Sequence, residues 1–258
     1  MLIVISIFTL SFFNKEDNTQ CSNNNGIWVG AESSIPLTLL RTNNFISNYK
    51  NVYLKSNLHI TPVPKLSSCQ NIYSWYEDGL SLNFLTPSTK PLVFKEKVDG
   101  KYWFDISKEE TRSYILKKFR NYDKEYPIHL DDHWSIPTQY GDYTKELDSL
   151  TKEVVNIIGP FSLSVLPFPY SLNKYNVNWI QWINKGYISE IILQNYVPKN
   201  FKVDLLKFDK QTKDLNIKRS IGLYQRKKSL QKEIDIIKGY DMSYSIFSYR
   251  TSIGRDYH

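Results

Sequence analysis

Beyond Gly26 the chain alternates short apolar runs with amphipathic stretches, the pattern of a parallel sheet with helical crossovers. Eight such runs are legible, at residues 27–31, 51–55, 71–75, 127–131, 161–165, 190–194, 217–221 and 243–247. Between the later runs the apolar positions switch to helical spacing. Ser107 and Glu110 read as a capping box, followed by Ile115, Phe119 and Tyr122 on one face. Leu147, Leu150, Val154 and Ile157 make the next stripe, and Gly159-Pro160 stops it. Trp179, Trp182 and Ile183 share one side of a short helix closed by Gly186, and Leu230, Ile234 and Ile237 do the same before Gly239. Stripes of this kind are core faces rather than binding surfaces. Eight strands alternating with helices predict an α/β fold, a (β/α)8 TIM barrel, with its working end at the strand carboxyl termini. The first half is lean. Only 15 residues separate Lys55 from Asn71, and Pro62 and Pro64 interrupt them, so no full helix fits and the barrel is expected to be irregular or partly open there.

Alternate side chains of a strand point to opposite faces, which sorts the residues of each run. In the fourth, Ile128 and Leu130 face the helices, sending His129 and Asp131 toward the barrel axis, with Asp132 and His133 beginning the loop above. In the sixth, Ile191 and Leu193 face outward, leaving Glu190, Ile192, Gln194 and Tyr196 inside, the last two of the inner side chains near the mouth. The third run ends Ser74-Trp75-Tyr76-Glu77-Asp78-Gly79, a second carboxylate pair beside an indole at the same rim.

Composition adds bounds rather than direction. At 258 residues and 41% hydrophobic content the chain can bury one large core, and no compositional shift marks a boundary. Residues 26–258 read as one domain. Residues 2–13 form an apolar stretch too short to span a bilayer of about 30 Å as a helix. It reads as the core of an export signal or as an N-terminal anchor, with a polar linker after it up to residue 25. The expected location is therefore exported, periplasmic or extracellular, or membrane-anchored through that segment. A formal charge of +7 would suit nucleic acid, but Lys and Arg are scattered beside Asp and Glu. The densest cluster, Arg226-Lys227-Lys228 near Lys218 and Arg219, reads as a solvated helix start, and no nucleic-acid partner is expected. Cys21 and Cys69 fit neither a zinc site nor a disulfide-dense scaffold, and leave room for a single bridge.

The densest chemistry lies in Ile128-His129-Leu130-Asp131-Asp132-His133-Trp134-Ser135-Ile136-Pro137. Carboxylates are costly in a packed core and are kept at the rim of a barrel, where ligands bind. The plainer reading is a helix cap or loop anchor. Carboxylates with aromatic platforms describe a sugar site: C–H faces stack on Trp and Tyr, while hydroxyls bond to Asp, Glu and Gln. Cleaving a glycosidic bond needs two carboxyl groups, one giving a proton and one acting as base or nucleophile. Asp132 is read as the acid or base, Asp131 as its orienter, and Glu77 as the second carboxylate. His133 tunes them, with Trp75, Trp134, Gln194 and Tyr196 lining sugar subsites and Asp78, His129 and Trp28 as further substrate contacts. The ten glycines show no dinucleotide or P-loop spacing, and no Gly-x-Ser-x-Gly elbow exists, so no cofactor is expected. A metal on Asp131, Asp132 and His133 is disfavoured, because three consecutive residues do not readily converge on one ion.

At these residues the chain resembles the glycosyl hydrolase-like family 10 proteins, over roughly residues 26–250. Gly26-Ile27-Trp28-Val29 is similar to the family's opening strand, and Trp75-Tyr76-Glu77-Asp78-Gly79 to its Trp-aromatic-Glu segment. Trp103-Phe104-Asp105 with Glu110-Thr111-Arg112 resembles the approach to its third helix. His129 to Pro137 followed by Tyr140-Gly141 is the most specific part. Ser162-Leu163-Ser164 with Pro167 and Pro169, then Gln194-Asn195-Tyr196 and Gly222-Leu223, continue the order. The resemblance implies a glycoside hydrolase-like barrel acting on polysaccharide or cell-envelope glycan. Two positions depart from it: Phe168 replaces an Asn between the two prolines, and Arg250 replaces an acidic residue. They motivate the alternative of a catalytically inactive barrel that binds glycan.

Overall fold

The computed structural model describes residues 25–30, 49–55, 69–122, 126–194, 200–224 and 230–250. Ten strands are formed among them: β1 (Gly26–Gly30), β2 (Asn51–Lys55), β3 (Asn71–Tyr76), β4 (Ser81–Leu82), β5 (Tyr102–Trp103), β6 (Ile128–Leu130), β7 (Phe161–Val165), β8 (Ile188–Gln194), β9 (Lys218–Tyr224) and β10 (Ser243–Arg250). Six α-helices accompany them among the described residues: α1 (Glu109–Arg120), α2 (Thr144–Ile158), α3 (Tyr170–Tyr175), α4 (Trp179–Asn184), α5 (Phe201–Thr212) and α6 (Leu230–Ile237). Eight parallel strands close into a barrel in the order β1-β10-β9-β8-β7-β6-β3-β2, while β4 and β5 form a separate antiparallel pair. The protein is a (β/α)8 barrel.

Period-two alternation gives the barrel two cores of different character. Outward side chains such as Val52, Leu130, Leu163 and Ile191 pack with Phe119, Leu150 and Trp179 of the helices. Each such aliphatic residue contributes about 1.5–3 kcal/mol by leaving water. Inside, Trp28, Tyr53, Tyr73 and Trp75 crowd one side with Ile192. The facing strands offer buried Ser162, Ser164, Ser220 and Ser245. Large rings on β1 to β3 thus fill the space that small residues on β7, β9 and β10 leave. Gly26 belongs to this fit, since a Cβ there would meet Ser245 Oγ at 2.5 Å and the Tyr53 ring at 2.8 Å.

The lean first half does not open the barrel. β1 runs in register with β2 from Gly26↔Asn51 to Val29↔Leu54, and β2 with β3 from Asn51↔Asn71 to Lys55↔Trp75. Among the described residues of that half, the irregularity is a register shift between Ile27 and Val29 on the β10 side. Strand pairing needs the crossover to return the chain, not to be a helix, so a short link suffices. The stretch with Pro62 and Pro64 lies outside the described residues.

Other expectations are refined. Gly159 (φ 79°) and Gly186 (φ 71°) end α2 and follow α4 in left-handed conformations, as helix C-termini favour. The capping box does not form: Ser107 Oγ donates to Asp105 Oδ1 at 2.6 Å, and α1 starts at Glu109 with no side-chain cap. The helix starts one residue later than the box requires, so Lys108 rather than Ser107 occupies the N-cap position. Arg219 is held by Asp209 (2.9 Å) and near Asp241 (3.8 Å) rather than standing in a free basic patch. Residues 226–228 lie outside the described set. Cys69 is disulfide-bonded, and Cys21, outside that set, is the chain's other cysteine. The apolar stretch at 2–13 also lies outside it. Among the described residues no helix is long and apolar enough to cross a membrane.

Candidate active site

The site is built where β6 stops. Trp134 N–H donates to Asp131 O at 2.9 Å, a turn that aims Asp131 inward over the barrel and lets Asp132 and His133 stand above it. Gly79 makes room for this turn: it sits at φ 54°, and a Cβ there would overlap the His133 carbonyl and Trp134 N. Leu80 N–H then donates to His133 O at 2.8 Å, tying the segment after β3 to the turn.

Asp131 is locked. Trp75 Nε1 donates to Oδ2 at 3.0 Å, Gln194 Nε2 to Oδ1 at 2.8 Å, and the Asp132 amide to Oδ1 at 2.8 Å. It is 4% exposed, too little to touch a sugar directly. Burial pushes its carboxyl well above the usual carboxylate range, the charge of Asp132 adds to the rise, and the three N–H donors oppose it. Asp132 differs: 24% of its side chain is exposed, and it lines a cleft of about 140 Å³. That volume compares with the roughly 150 Å³ that accommodates one six-membered ring.

The rest of the cleft comes mainly from elements beyond the barrel strands. Asp99, Lys101 and Trp103, from the segment between β4 and β5 and from β5 itself, share its lining with Asp132 and His133, and Tyr175 of α3 borders it too. His133 joins the two sides. Its Nδ1 lies 3.0 Å from Glu77 O, and its Nε2 lies 2.6 Å from Lys101 Nζ. A carbonyl only accepts and an ammonium only donates, which assigns the hydrogen to Nδ1 and the lone pair to Nε2.

One ligand atom from each of Asp131, Asp132 and His133 lies within 4.8 Å of the others, so these consecutive residues do converge, against the expectation from their spacing. The donor set nevertheless fits a cation poorly. His133 spends both nitrogens on Glu77 and Lys101, and the Lys101 charge would repel a metal ion.

The remaining site expectations separate into groups. Glu77 is ion-paired with Lys55 at the end of β2 and does not line the Asp132 cleft. Asp78 acts electrostatically on Lys118 and Tyr76, on the helix side of β3. Trp75 is an inner support, with Phe247 edge-on at 5.9 Å. Trp134 turns into the helix layer, its Nε1 donating to Thr151 at 3.0 Å and its ring against Phe119 at 5.6 Å. Trp28 lies inside the barrel, stacked on Tyr53 at 5.0 Å. His129 is deeper still, between Ser162 (2.8 Å) and Ser164 (3.0 Å), with burial lowering its pKa to about 3. Tyr196 lies outside the described residues. Phe168 packs edge-on against Trp179 at 5.8 Å. Arg250 pairs in backbone register with Gly30, and its side chain is outside the described set.

Lys101, Tyr175 and Asp99 were not legible as site residues. The one available signal was the Asp99-Gly100 dipeptide, a hairpin-turn signature that placed a loop but not its target.

No protein-family model matches the chain, and no curated protein matches it. Among solved structures, the chain is similar to the PgaB (BpsB) glycoside hydrolase domain from Bordetella bronchiseptica. The match has a TM-score of 0.57 at 9% sequence identity and covers 87% of this chain and 94% of that chain. Such a likeness is one of fold, and the chemistry rests on the residues themselves.

Proposed function

We propose that this barrel hydrolyses a glycosidic bond in a polysaccharide or cell-envelope glycan, with Asp132 as the acid or base and Asp131 as its positioning residue. The observation that carries the reading is the division of labour between the two: one carboxyl group buried and fixed by three donors, its neighbour exposed to a ring-sized cleft. Trp103 and Tyr175 supply that cleft with aromatic surface of the kind sugars stack on. The likeness to a glycoside hydrolase domain and the resemblance to glycosyl hydrolase-like family 10 support the same class. The Cys69 disulfide favours an oxidising compartment, in keeping with residues 2–13 as an export signal.

A second reading, a glycan-binding barrel without turnover, is favoured by one observation: Glu77, the expected second carboxylate, is engaged with Lys55. Chitohexaose, cellohexaose and xylohexaose separate the two. Reducing-sugar release by the native protein that disappears in Asp132→Asn, with calorimetric binding retained, supports hydrolysis. Binding without release by the native protein supports the silent barrel. Release unchanged by Asp132→Asn removes the role given to that residue.

A further inference from the structure

We propose that Asp99 is the second carboxylate of the site, the base that takes the proton of the attacking water opposite Asp132. This rests on the hydrolase reading above. Asp99 and Asp132 line the same cleft of about 140 Å³, and Glu77 does not.

Turn chemistry explains why residue 99 is an Asp, but not where its carboxylate goes. Val98 and Lys101 exchange both backbone hydrogen bonds, each at 3.1 Å, and Asp99 (φ 52°) and Gly100 (φ 75°) between them are left-handed. That is the two-residue hairpin turn for which Asp-Gly is preferred. A residue with only that task would leave its carboxylate in solvent. Here Tyr175 Oη donates to Asp99 Oδ2 at 2.9 Å, and Lys174 Nζ lies 3.8 Å from the same oxygen. One oxygen is anchored. Among the described residues no partner engages Oδ1, and the side chain is 47% exposed, so a water can reach it.

The hairpin is also fixed relative to Asp132. Trp103 Nε1 donates to Val98 O at 3.0 Å, and Tyr140 Oη donates to Glu96 O at 2.6 Å. Phe94 stacks on Tyr140 at 3.9 Å. Lys101 bonds His133, the residue next to Asp132, at 2.6 Å. Such bracing from both sides is what a pair of groups acting on one bond requires.

In the step proposed, protonated Asp132 gives its proton to the glycosidic oxygen as the bond from that oxygen to the anomeric carbon breaks. Water attacks the same carbon from the opposite face and loses a proton to the Asp99 carboxylate. The products are a hemiacetal and an alcohol, and the proton now on Asp99 returns to Asp132 through solvent. Direct displacement by water inverts the anomeric configuration.

The test follows the loss of each of the three hexaoses by chromatography, since azide attack yields a glycosyl azide and no new reducing end, for native protein, Asp99→Asn and Tyr175→Phe, with and without sodium azide, and with thermal unfolding of each. Asn adopts this turn as readily as Asp, so Asp99→Asn keeps the native unfolding temperature. The expected loss in kcat is about 10²–10⁴-fold for Asp99→Asn, partly restored by azide acting as a nucleophile that needs no base. Tyr175→Phe, which removes the hydroxyl that anchors Asp99 and bonds Lys174 but keeps the ring, loses about tenfold or less by comparison. NMR of the first product is expected to show the inverted anomer. Equal, small losses in both variants without azide rescue would reduce Asp99 to a loop pin, leaving the role of Asp132 intact. Absence of release by the native protein would instead overturn the hydrolase reading and this proposal with it.

Discussion

Two carboxyl groups are buried inside one barrel, and the donors that serve them differ in kind. Glu190, lower in the barrel, accepts from the hydroxyls of Tyr53 (3.1 Å) and Ser162 (2.8 Å), with Tyr73 adding a third bond. Asp131, at the mouth, accepts only from N–H groups. Burial pushes both upward, and Asp132 pushes Asp131 further. A hydroxyl can turn and accept when a carboxyl group takes a proton, whereas an indole or a backbone amide cannot. Gln194 alone could offer its carbonyl after a flip. The Glu190 site therefore tolerates either protonation state and serves packing. The Asp131 site lacks that freedom: its N–H donors favour the ionised carboxylate while burial and the charge of Asp132 favour the neutral form, and the side chain is fixed in place behind Asp132 by those donors.

The sharpest way to break this contrast is through turnover. Asp132→Asn is expected to lower kcat by about 10²–10⁴-fold, while Glu190→Gln leaves kcat within about twofold, as a role in packing alone requires. A large kcat loss in the Glu190 variant would join the two regions into one machine.

Stability gives the next contrast. Asp131→Ala strands the Trp75 and Gln194 donors in the core, each costing about 1–3 kcal/mol. Glu190→Ala leaves hydroxyls that can bond to one another or to water, so its cost should be smaller by about 1 kcal/mol or more. Urea midpoints of the two variants decide the order.

A further contrast is read from pH. His129, lowered to about 3 by burial, stays neutral in the folded protein where the unfolded chain takes up a proton below about 6.5. Its contribution is present above that value and lost as pH falls toward 3, at up to about 1.4 kcal/mol per pH unit. His129→Gln should flatten that decline. Glu190 has the opposite sign, because a raised carboxyl binds more protons when folded. Its contribution is present below the unfolded value near 4.3 and fades as pH rises through the folded value. Glu190→Gln should therefore gain stability relative to the native protein as pH rises above the unfolded value of about 4.3.

Most of the barrel was legible because alternation and helical stripes are repeated along the chain. The inward set of His129, Asp131, Ile192 and Gln194 follows directly from strand parity. Parity fails where strands end. Trp134 was assigned to the sugar site by adjacency, but the turn after Asp131 carries it back to the helix layer beside Thr151. β4 and β5 contain two residues each, too few for any period to register. Their segment supplies Asp99, Lys101 and Trp103, whose meeting with Asp132 is a long-range contact that no local pattern encodes. Trp75 and Asp131 were read as separate candidates, and their hydrogen bond across neighbouring strands became visible only in the folded barrel.

The central claim is that a glycan binds across the mouth with its scissile oxygen at Asp132. A crystal structure of Asp132→Asn with a bound hexaose tests it most directly. The expected result is a sugar ring in the cleft beside Trp103 and Tyr175, with a glycosidic oxygen about 2.6–3.2 Å from the side chain at position 132. A hexaose bound at the opposite end of the barrel, or crossing the mouth without approaching that position, would contradict it.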